Sequence, residues 1–377
     1  FVFEKFRLQK SIISPNSEWL IFMKIAIVMG TRPEIIKLAP LIDKIPKKNR
    51  SVIFTGQHFD YQMGLQFIEK LGLKKPDYSM NLSSSIPSSQ MGEIILKLSK
   101  ILQEIKPDTT IVQGDTNTVL ASAICSLKSG IPICHVESGL RSNDWRMPEE
   151  HNRITTDHLS ELLFAPTIHS KKNLVSEKVH GKIFVTGNTI MDSISKYSKI
   201  SSKKSTLQIN ETDFILLTLH RTENVDDKKT LTSLINTITQ SNEKIIFPIH
   251  PRTLKQLKKF DLMKKLVKSE NIKILDSIGY FEILELMKKS SFILTDSGGI
   301  QEEATASQIR KKTFVIRKTT DRPEAVEHGF SELIGTSTNK LKYVLKNGHD
   351  SKIPHKKSPY GDGKATEKIL REIYNRF

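Results

Sequence analysis

Three carboxylic side chains stand where the sequence predicts neighbouring strand ends. Asp115 follows the apolar run 110–112, Glu137 follows the run 131–136, and Glu149 opens a helix shortly afterwards. Because the carboxyl ends of parallel strands meet on one rim, the three side chains are expected around one cleft. Carboxylates brought together raise each other's pKa, and such groups serve as acids and bases. For any single residue, a helix cap or a salt bridge remains the simpler interpretation.

Cationic side chains accompany other predicted strand ends. Gly30 ends a first strand, and Pro33 suits the first turn of the helix that follows. Arg32 and Lys37 would then flank the N-terminus of that helix, a natural place for a phosphate group. An ordinary turn with two surface cations fits the same residues. In the second half, His220 closes a strand and is followed by an arginine, a pairing that favours an anion site.

A small-residue turn at 297–299 gives the most informative pattern of the second half. A strand ends there in Ser-Gly-Gly, and a helix begins. Small residues let backbone amides approach a diphosphate, and Ser297 adds a hydroxyl. Glu303 lies one helical turn further on, where a carboxylate can hold ribose hydroxyls. The turn followed by acidic residues indicates a nucleotide-sugar site.

Short apolar runs alternate with longer amphipathic ones, and this alternation is typical of parallel sheets with crossover helices. We predict two Rossmann-like, doubly wound α/β domains that face each other across a cleft. The predicted strands are 24–29, 51–55, 110–112, 131–136, 162–165 and 183–185, then 214–219, 244–249, 272–275, 292–295 and 313–316. The predicted helices are 34–45, 61–71, 89–105 and 118–129, then 228–240, 254–267, 281–288 and 299–306.

Domain boundaries follow from the same alternation. The first domain is predicted at 23–195, a polar linker at 196–212 and the second domain at 213–358. Residues 1–22 precede the first predicted strand and are interpreted as an extension without a catalytic part.

Composition excludes several classes of protein. The net charge of +17 is spread in short lysine pairs without a dense basic tail, so nucleic-acid binding is not expected. No run is long and apolar enough to span a bilayer. The 2 cysteines form neither a disulfide framework nor a metal motif. A cytoplasmic protein without a metal or other cofactor is expected.

Beyond these single features, short motifs follow one another in a fixed order. They are Gly30-Thr31-Arg32-Pro33-Glu34 with Lys37, Gln57-His58, Gly114-Asp115-Thr116, His135 to Arg141, Pro148 to Arg153, Thr186-Gly187-Asn188-Thr189, His220 to Glu223, Asp296 to Glu303, Arg322-Pro323-Glu324 and Pro359-Tyr360-Gly361-Asp362-Gly363.

This ordered set resembles the non-hydrolysing UDP-N-acetylglucosamine 2-epimerases over essentially the whole chain from Met23. The resemblance implies a GT-B type fold and a C-terminal segment, 359–377, whose helix packs back on the first domain. It further implies a homodimer without metal or redox cofactor. The expected reaction interconverts UDP-N-acetylglucosamine and UDP-N-acetylmannosamine through elimination of UDP and a bound 2-acetamidoglucal.

The resemblance also assigns roles to individual residues. It implies catalytic roles for Asp115, Glu137, Glu149 and His220, without assigning each to a step. Gln57 and His58 match a segment that binds a second, activating substrate molecule in some members. Substrate contacts are implied for Arg32, Lys37, Arg153, Phe281 at the uracil, Ser297, Gly298, Gly299, Glu303 and Arg322.

Three other functions are compatible with the same sequence features. A hydrolysing epimerase would release UDP and N-acetylmannosamine, and a related epimerase would act on a modified UDP-sugar. A glycosyltransferase with the same fold belongs to a different class. One segment, 304–312, departs from the family pattern because it lacks the expected glycine and prolines.

Overall fold

The computed structural model describes residues 23–57, 61–208 and 211–377, and the extension predicted at 1–22 lies outside them. Within these ranges the strands are β1 (Ile25–Met29), β2 (Arg50–Phe54), β3 (Tyr78–Ser79), β4 (Thr109–Gln113), β5 (Ile133–Val136), β6 (Leu162–Ala165), β7 (Lys182–Val185), β8 (Ile215–Thr218), β9 (Ile245–Pro248), β10 (Ile272–Leu275), β11 (Ile293–Thr295), β12 (Thr313–Val315) and β13 (Ser331–Leu333).

The strands form two parallel sheets. The first has the order β3-β2-β1-β4-β5-β6-β7 and the second the order β10-β9-β8-β11-β12-β13. All five residues of β1 are apolar and buried, and the strand pairs in parallel with β2 on one side and β4 on the other. A strand that helices cover on both faces needs such an uninterrupted apolar run. For this reason the sequence alone predicts the strand.

Helices connect the strands and cover both faces of each sheet. They are α1 (Arg32–Lys44), α2 (Tyr61–Lys70), α3 (Pro87–Ile105), α4 (Asn117–Lys128), α5 (Pro148–Leu159), α6 (Ile168–Ser176), α7 (Thr189–Tyr197), α8 (Ser201–Lys204), α9 (Thr222–Val225), α10 (Lys228–Thr239), α11 (Pro251–Lys259), α12 (Met263–Val267), α13 (Tyr280–Lys289), α14 (Gly298–Glu303), α15 (Pro323–Glu327), α16 (Thr338–Asn347) and α17 (Ala365–Arg376). The predicted pair of doubly wound α/β units, of GT-B type, is confirmed.

Besides the helices α9, α15 and α16, which were not predicted, three elements differ from the sequence prediction. The helix predicted at 254–267 is two helices, α11 and α12, because the backbone turns left-handed at Asp261 (φ 57°). The edge strands β3 and β13 were not predicted, since each is only two or three residues long and lacks an apolar run. Edge strands pair on one side alone, so position rather than hydrophobicity makes them strands.

Each sheet reverses its strand order next to its first strand. In the first sheet β1 lies between β2 and β4, and in the second β8 lies between β9 and β11. The loops that follow β1 and β4 therefore diverge and leave a crevice at the carboxyl ends, as do the loops after β8 and β11. Gly30 packs β1 against the loop after β2 and against α4, because a Cβ there would lie 2.4 Å from the Thr55 hydroxyl and 2.2 Å from the Thr118 hydroxyl.

The segment 304–312 folds compactly despite its departure from the family pattern. Ile309 is buried, and Arg310 takes a left-handed conformation (φ 48°). The Arg310 guanidinium donates to the carbonyl of Pro354 at 2.5 Å. An isoleucine in the core and an arginine on the neighbouring segment thus hold this loop in place.

The last helix, α17, packs on the first half of the chain, beside α1 and α7. Its own N-cap position, Lys364, makes no side-chain capping bond. Asp192 of α7 supplies the cap instead, since its carboxylate accepts from the amides of Ala365 (3.1 Å) and Thr366 (3.0 Å). Ile369 and Ile373 are fully buried beneath this helix. The domain boundaries themselves stay predictions.

None of the helices in the described ranges combines the length and the apolar composition needed to cross a bilayer.

Replacing Asp192 by alanine is expected to lower the free energy of unfolding by about 1–2 kcal/mol, because the first amides of α17 lose a buried, charged acceptor. Urea unfolding monitored by circular dichroism measures this change. Asp43→Ala is the matched control, since Asp43 pairs with Lys196 at the surface and such pairs contribute under about 1 kcal/mol. Equal losses in both variants would show that Asp192 does not anchor α17.

Candidate active site

The carboxyl ends of the two sheets face each other across a cavity of about 500 Å³. This volume lies in the range of sites for small molecules. Loops from both sheets line the cavity, so the site belongs to neither half alone. The predicted residues that line it are Lys37, Asp115, Glu137, Glu149, Arg153, His220, Ser297, Gly298, Gly299, Glu303 and Arg322.

Four charged side chains form a buried cluster at the base of the cavity. Lys37 Nζ lies 2.5 Å from Glu137 Oε2 and 3.7 Å from Glu302 Oε2. Arg322 Nε lies 2.5 Å from Glu302 Oε1, and its Nη2 lies 3.3 Å from Glu137 Oε1. Each side chain is at most 10% exposed. We call Lys37, Glu137, Glu302 and Arg322 the charge cluster; its two cations balance its two carboxylates.

An amide side chain joins the two carboxylates of the charge cluster. Asn188, just after β7, donates to Glu137 at 3.2 Å and to Glu302 at 3.1 Å. Gln113 at the end of β4 also donates to Glu137, at 3.0 Å. Residues from both sheets thus converge on Glu137, and most of its acceptor positions are occupied.

Burial and charge oppose each other within the cluster. Burial alone would raise the pKa of Glu137, but the charges of Lys37 and Arg322 outweigh it and hold that pKa below its ordinary value. Burial would likewise lower the pKa of Lys37, yet the two carboxylates raise it. For Glu302 burial prevails, and its pKa is raised despite Arg322 and Lys37. Glu137 is therefore the carboxylate of the cluster that is firmly ionised.

The backbone at Glu137 is strained. Its φ of 69° is in the left-handed region, which costs a non-glycine residue about 1 kcal/mol or more. The amides of Glu137 and Ser138 both donate to the carbonyl of Phe164 on β6, at 3.1 and 3.2 Å. This turn aims the carboxylate back over the end of the sheet instead of along the strand.

Asp115 does not cap the following helix. Thr116 is the N-cap of α4, and its hydroxyl accepts from the amide of Val119 at 3.3 Å. The Asp115 carboxylate, 28% exposed, instead pairs with the Arg153 guanidinium. Arg153 is held in turn by Glu150 at 3.2 Å. The capping interpretation is therefore wrong for Asp115, whose carboxylate is directed to the cavity.

Other carboxyl groups line the same cavity. Glu149 is exposed at the start of α5, where it borders the cleft. Burial raises the pKa of Glu303 to about 8. Burial also raises the pKa of Glu34 to about 7, and its carboxyl accepts from the amide of Gly30 (2.7 Å) and the hydroxyl of Thr31 (2.8 Å). The cavity thus contains carboxyl groups that differ widely in acidity.

His220 is held by a buried aspartate of the next strand. The amides of His220 and Arg221 donate to Asp296 at 3.0 and 2.9 Å, and His220 Nδ1 lies 3.2 Å from Asp296 Oδ1. Burial lowers the pKa of His220, although Asp296 partly offsets this. A neutral ring that donates from Nδ1 leaves Nε2 as the free ring nitrogen.

A mostly apolar pocket of about 230 Å³ adjoins the cavity at His220. Arg32 borders it and lies over the Phe67 ring, with 5.4 Å between the guanidinium carbon and the ring centroid. Burial lowers the pKa of Arg32. The segment around Gly279 and the side chain of Ile283 form the opposite wall. A flat apolar group attached to an anion would fit this combination of walls.

The side chain of Phe281 does not line this pocket, and its predicted contact with the uracil stays a prediction. Its side chain is 4% exposed and packs edge-on against Tyr197 at 5.8 Å between ring centroids. It lines an adjoining pocket of about 310 Å³, which shares Arg32 and Gly279 with the first pocket. Along α13 the face toward the site carries Ile283, two positions further on. Both residues are apolar, so the sequence alone did not decide which face is buried.

Gln57 is used inside the first half and does not line the cavity. Its side-chain oxygen accepts from the amide (2.7 Å) and the hydroxyl (2.8 Å) of Thr118 in α4, and its carbonyl accepts from Gln90. His58 lies outside the described residues. The activating site predicted at this pair stays a prediction.

Several residues of the site were not predicted as site residues. Glu302 and Asn188 belong to the charge cluster and its bridge, while Asp296 and Asp321 hold neighbouring backbone and guanidinium groups. A signal existed for Asn188, which follows a predicted strand end, and for Asp296, which precedes the Ser-Gly-Gly turn. Glu302 gave no signal beyond its neighbour Glu303.

Within the described ranges, no group of three or more His, Cys, Asp or Glu side chains could hold a metal ion. The arrangement can bind an anion between Arg32, His220 and the turn at 297–299. It can also move a proton through ionised carboxylates beside that anion.

Lys37→Met is expected to lower the free energy of unfolding by about 3 kcal/mol, because the buried carboxylates lose a counter-charge. Adding Glu302→Gln restores the charge balance, so the double variant should be more stable than the sum of the single changes implies. Urea unfolding at pH 7 measures all three variants. Lys44→Met, at an exposed pair with Glu367, is the control. Strictly additive losses would contradict the coupling of these charges.

Comparison with known proteins gives consistent matches. A family model described as UDP-N-acetylglucosamine 2-epimerase matches residues 42–374. A UDP-N-acetylglucosamine 2-epimerase of Methanocaldococcus jannaschii is 44% identical over 362 residues, which cover 93% of this chain and 98% of that protein. A UDP-2,3-diacetamido-2,3-dideoxy-D-glucuronate 2-epimerase of Pseudomonas aeruginosa is 34% identical over 360 residues, with 93% and 99% covered.

A solved structure agrees with these sequence matches. The crystal structure of Methanocaldococcus jannaschii UDP-GlcNAc 2-epimerase, in complex with UDP-GlcNAc and UDP, superposes with a TM-score of 0.84 at 43% identity. The match covers 94% of this chain and 100% of that one. The chain therefore belongs to the UDP-N-acetylglucosamine 2-epimerase family.

Proposed function

We propose that this protein reversibly converts UDP-N-acetylglucosamine to UDP-N-acetylmannosamine without releasing free sugar. The observation that carries the proposal is one cavity in which Asp115, Glu137 and Glu149 from the first half face His220 and Glu303 from the second. The three carboxylic groups of the first half can transfer a proton at a sugar carbon. His220 and Glu303 of the second half are groups that can bind a nucleoside diphosphate. Membership of the family supports the same reaction.

The nucleotide is proposed to bind along the second half. Arg32, His220 and the backbone at 297–299 would hold the diphosphate, since cations and amides stabilise its charge. Gly298 approaches Asp321 so closely that a Cβ would lie 3.2 Å from the carboxylate, which keeps this backbone uncovered. Glu303 would accept from the ribose hydroxyls. The uracil would enter the apolar pocket beside Ile283.

The reaction begins with elimination across C1 and C2. A base removes the C2 proton, the electron pair of that bond forms the C1=C2 double bond, and the C1–O bond breaks. The electrons of the C1–O bond pass to UDP. Direct abstraction of the C2 proton would leave an unstabilised carbanion, whereas elimination places the charge on the diphosphate, where the cations are.

Addition then reverses these steps on the other face. A proton is delivered to C2 from the opposite side, and a phosphate oxygen attacks C1 again. Asp115, Glu137 and Glu149 are the groups that we propose take and return the proton, each without an assigned step. Lys37 and Arg153 hold two of these carboxylates in place. Arg322, which lines the cavity from the charge cluster, would contact the substrate. No electron is gained or lost overall.

Two finer predictions belong to the same proposal. The family resemblance favours a homodimer and a cytoplasmic location. Exposed apolar side chains on α3 and α4, Leu96 and Leu127, support a contact with a second copy, because burying them would remove apolar surface from water.

A modified UDP-sugar is the second candidate substrate. The Pseudomonas aeruginosa relative, 34% identical, is named for a diacetamido uronate. A wide pocket of about 710 Å³ opens beyond Glu149, and Arg221, Arg317 and Lys318 line it. These cations could meet a sugar carboxylate, but they share the pocket with Asp144, Glu223 and Asp321. Competing the two UDP-sugars for the same enzyme distinguishes these substrates.

Incubation of the protein with UDP-N-acetylglucosamine in deuterated water is expected to yield UDP-N-acetylmannosamine that carries deuterium at C2. Solvent exchanges with the base while the intermediate is bound, so every product molecule should be labelled. Proton NMR follows the C2 signal over time. Free N-acetylmannosamine together with UDP would instead support the hydrolysing reaction.

The matched variants for this experiment are Glu137→Gln and Glu69→Gln. The first removes a proposed base and is expected to slow labelling by about 10²- to 10⁴-fold. The second removes an exposed acid on α2 and should label as the parent protein does. Unimpaired labelling by Glu137→Gln would remove Glu137 from the proposal.

The affinity for UDP-N-acetylglucosamine is expected to rise with pH toward pH 8 through Glu303. Its pKa of about 8 means that the carboxyl is protonated at lower pH, while a carboxylate accepts best from two ribose hydroxyls. The increase in affinity cannot exceed about tenfold per pH unit, and it ends once the pH is above the pKa of Glu303. Calorimetric titration between pH 6 and 9 measures it.

Glu303→Gln should bind more weakly and lose this pH dependence. Glu327→Gln, an exposed acid on α15, should keep it. A dependence that survives in Glu303→Gln would assign the titration to another group.

A further inference from the structure

A fully buried histidine lies directly behind the proposed proton-transfer groups. His135 of β5 is 0% exposed. Its Nδ1 lies 2.7 Å from Asp157 Oδ1, and its Nε2 lies 2.8 Å from the carbonyl oxygen of Gly114. Gly114 directly precedes Asp115, so the ring contacts the turn that carries a proposed base.

The partners of the ring determine its protons. A carbonyl oxygen can only accept, so Nε2 must donate to Gly114. Asp157 also accepts from the amide of Gly139 at 3.1 Å and from Arg141 at 2.8 Å. The Asp157 carboxylate thus lies against three donors, and His135 Nδ1 is one of them. Both ring nitrogens of His135 therefore face acceptors, the Asp157 carboxylate and the Gly114 carbonyl.

The same pair connects three segments. Gly114 belongs to the turn after β4, Gly139 to the turn after β5, and Asp157 to helix α5. These segments carry Asp115, Glu137 and Glu149 respectively. Arg141, which contacts Asp157, also forms a salt bridge of 2.6 Å with Glu177, and Glu177 is partly exposed at the surface.

We propose that His135 is a positioning residue: by donating to Gly114 and Asp157 it sets the distance of Asp115 from Glu137 and Glu149. This inference rests on the proposed function, because it concerns the placement of those three carboxylates. A rigid spacing matters because a shift of about 1 Å in a reacting group can cost about 10²-fold in rate.

Two amide variants separate the two bonds. The amide nitrogen of Gln reaches the position of Nε2, so His135→Gln keeps the donor to Gly114. The amide nitrogen of Asn matches Nδ1, so His135→Asn keeps the donor to Asp157 and loses the hydrogen bond to the Gly114 carbonyl. Both variants remove the ring, so the loss of its packing is common to both and the hydrogen bond that each retains differs.

We expect His135→Asn to lower kcat by about 10²-fold, with KM and the dissociation constant for UDP nearly unchanged. His135→Gln should lose clearly less kcat. Thermal unfolding of both variants shows whether stability accounts for the difference. Equal losses of kcat in proportion to lost stability, or a change confined to KM, would overturn the positioning role.

A measurement without substrate tests the same inference if the parent protein does not turn over UDP-N-acetylglucosamine. Protein labelled with ¹⁵N-histidine should show two slowly exchanging ring N–H signals that both vanish in His135→Asn. A single ring N–H signal from His135 would refute donation to both partners. Two signals without turnover would refute the proposed substrate and leave the ring geometry intact.

Discussion

Two carboxylates and two cations buried together are stable only while each charge keeps its partners. Removing one member leaves an uncompensated charge in a low-dielectric interior, which costs several kcal/mol. Lys37 comes from α1, Glu137 from the end of β5, Glu302 from α14 and Arg322 from the start of α15. The charge cluster thus holds the two halves of the protein in one relative arrangement, and the cavity above it depends on that arrangement.

The same electrostatic balance prepares the site for chemistry. Cations already placed beside Glu137 keep it ionised without requiring water to reorganise. The strained backbone at Glu137 and the tie between Asp115 and Arg153 have the same effect: each carboxylate is held at a fixed position before any ligand arrives. Fixed dipoles and charges of this kind are a major source of rate acceleration in enzymes.

The sequence predicted the fold and most residues at strand ends, because apolar runs locate the strands and parallel topology places their ends together. It could not predict side-chain directions that tertiary packing decides. Phe281 and Ile283 are both apolar members of one helix, and only contact with Tyr197 shows which is buried. Glu302 and Glu303 are neighbours, yet one enters the charge cluster while the other borders the cavity. The hydrogen bond of Gln57 to Thr118 of α4 is another contact that no sequence motif indicated.

The position of α17 has a consequence for biosynthesis. This helix covers α1 and α7, so the first half cannot bury its full apolar surface until residues 365–376 have left the ribosome. At translation rates of about 5–20 residues per second, the nascent first half waits for roughly 10–30 s after α7 is complete. During that interval its uncovered face is open to chaperones or to other nascent chains. The packing of the first half is therefore completed only once α17 has emerged from the ribosome.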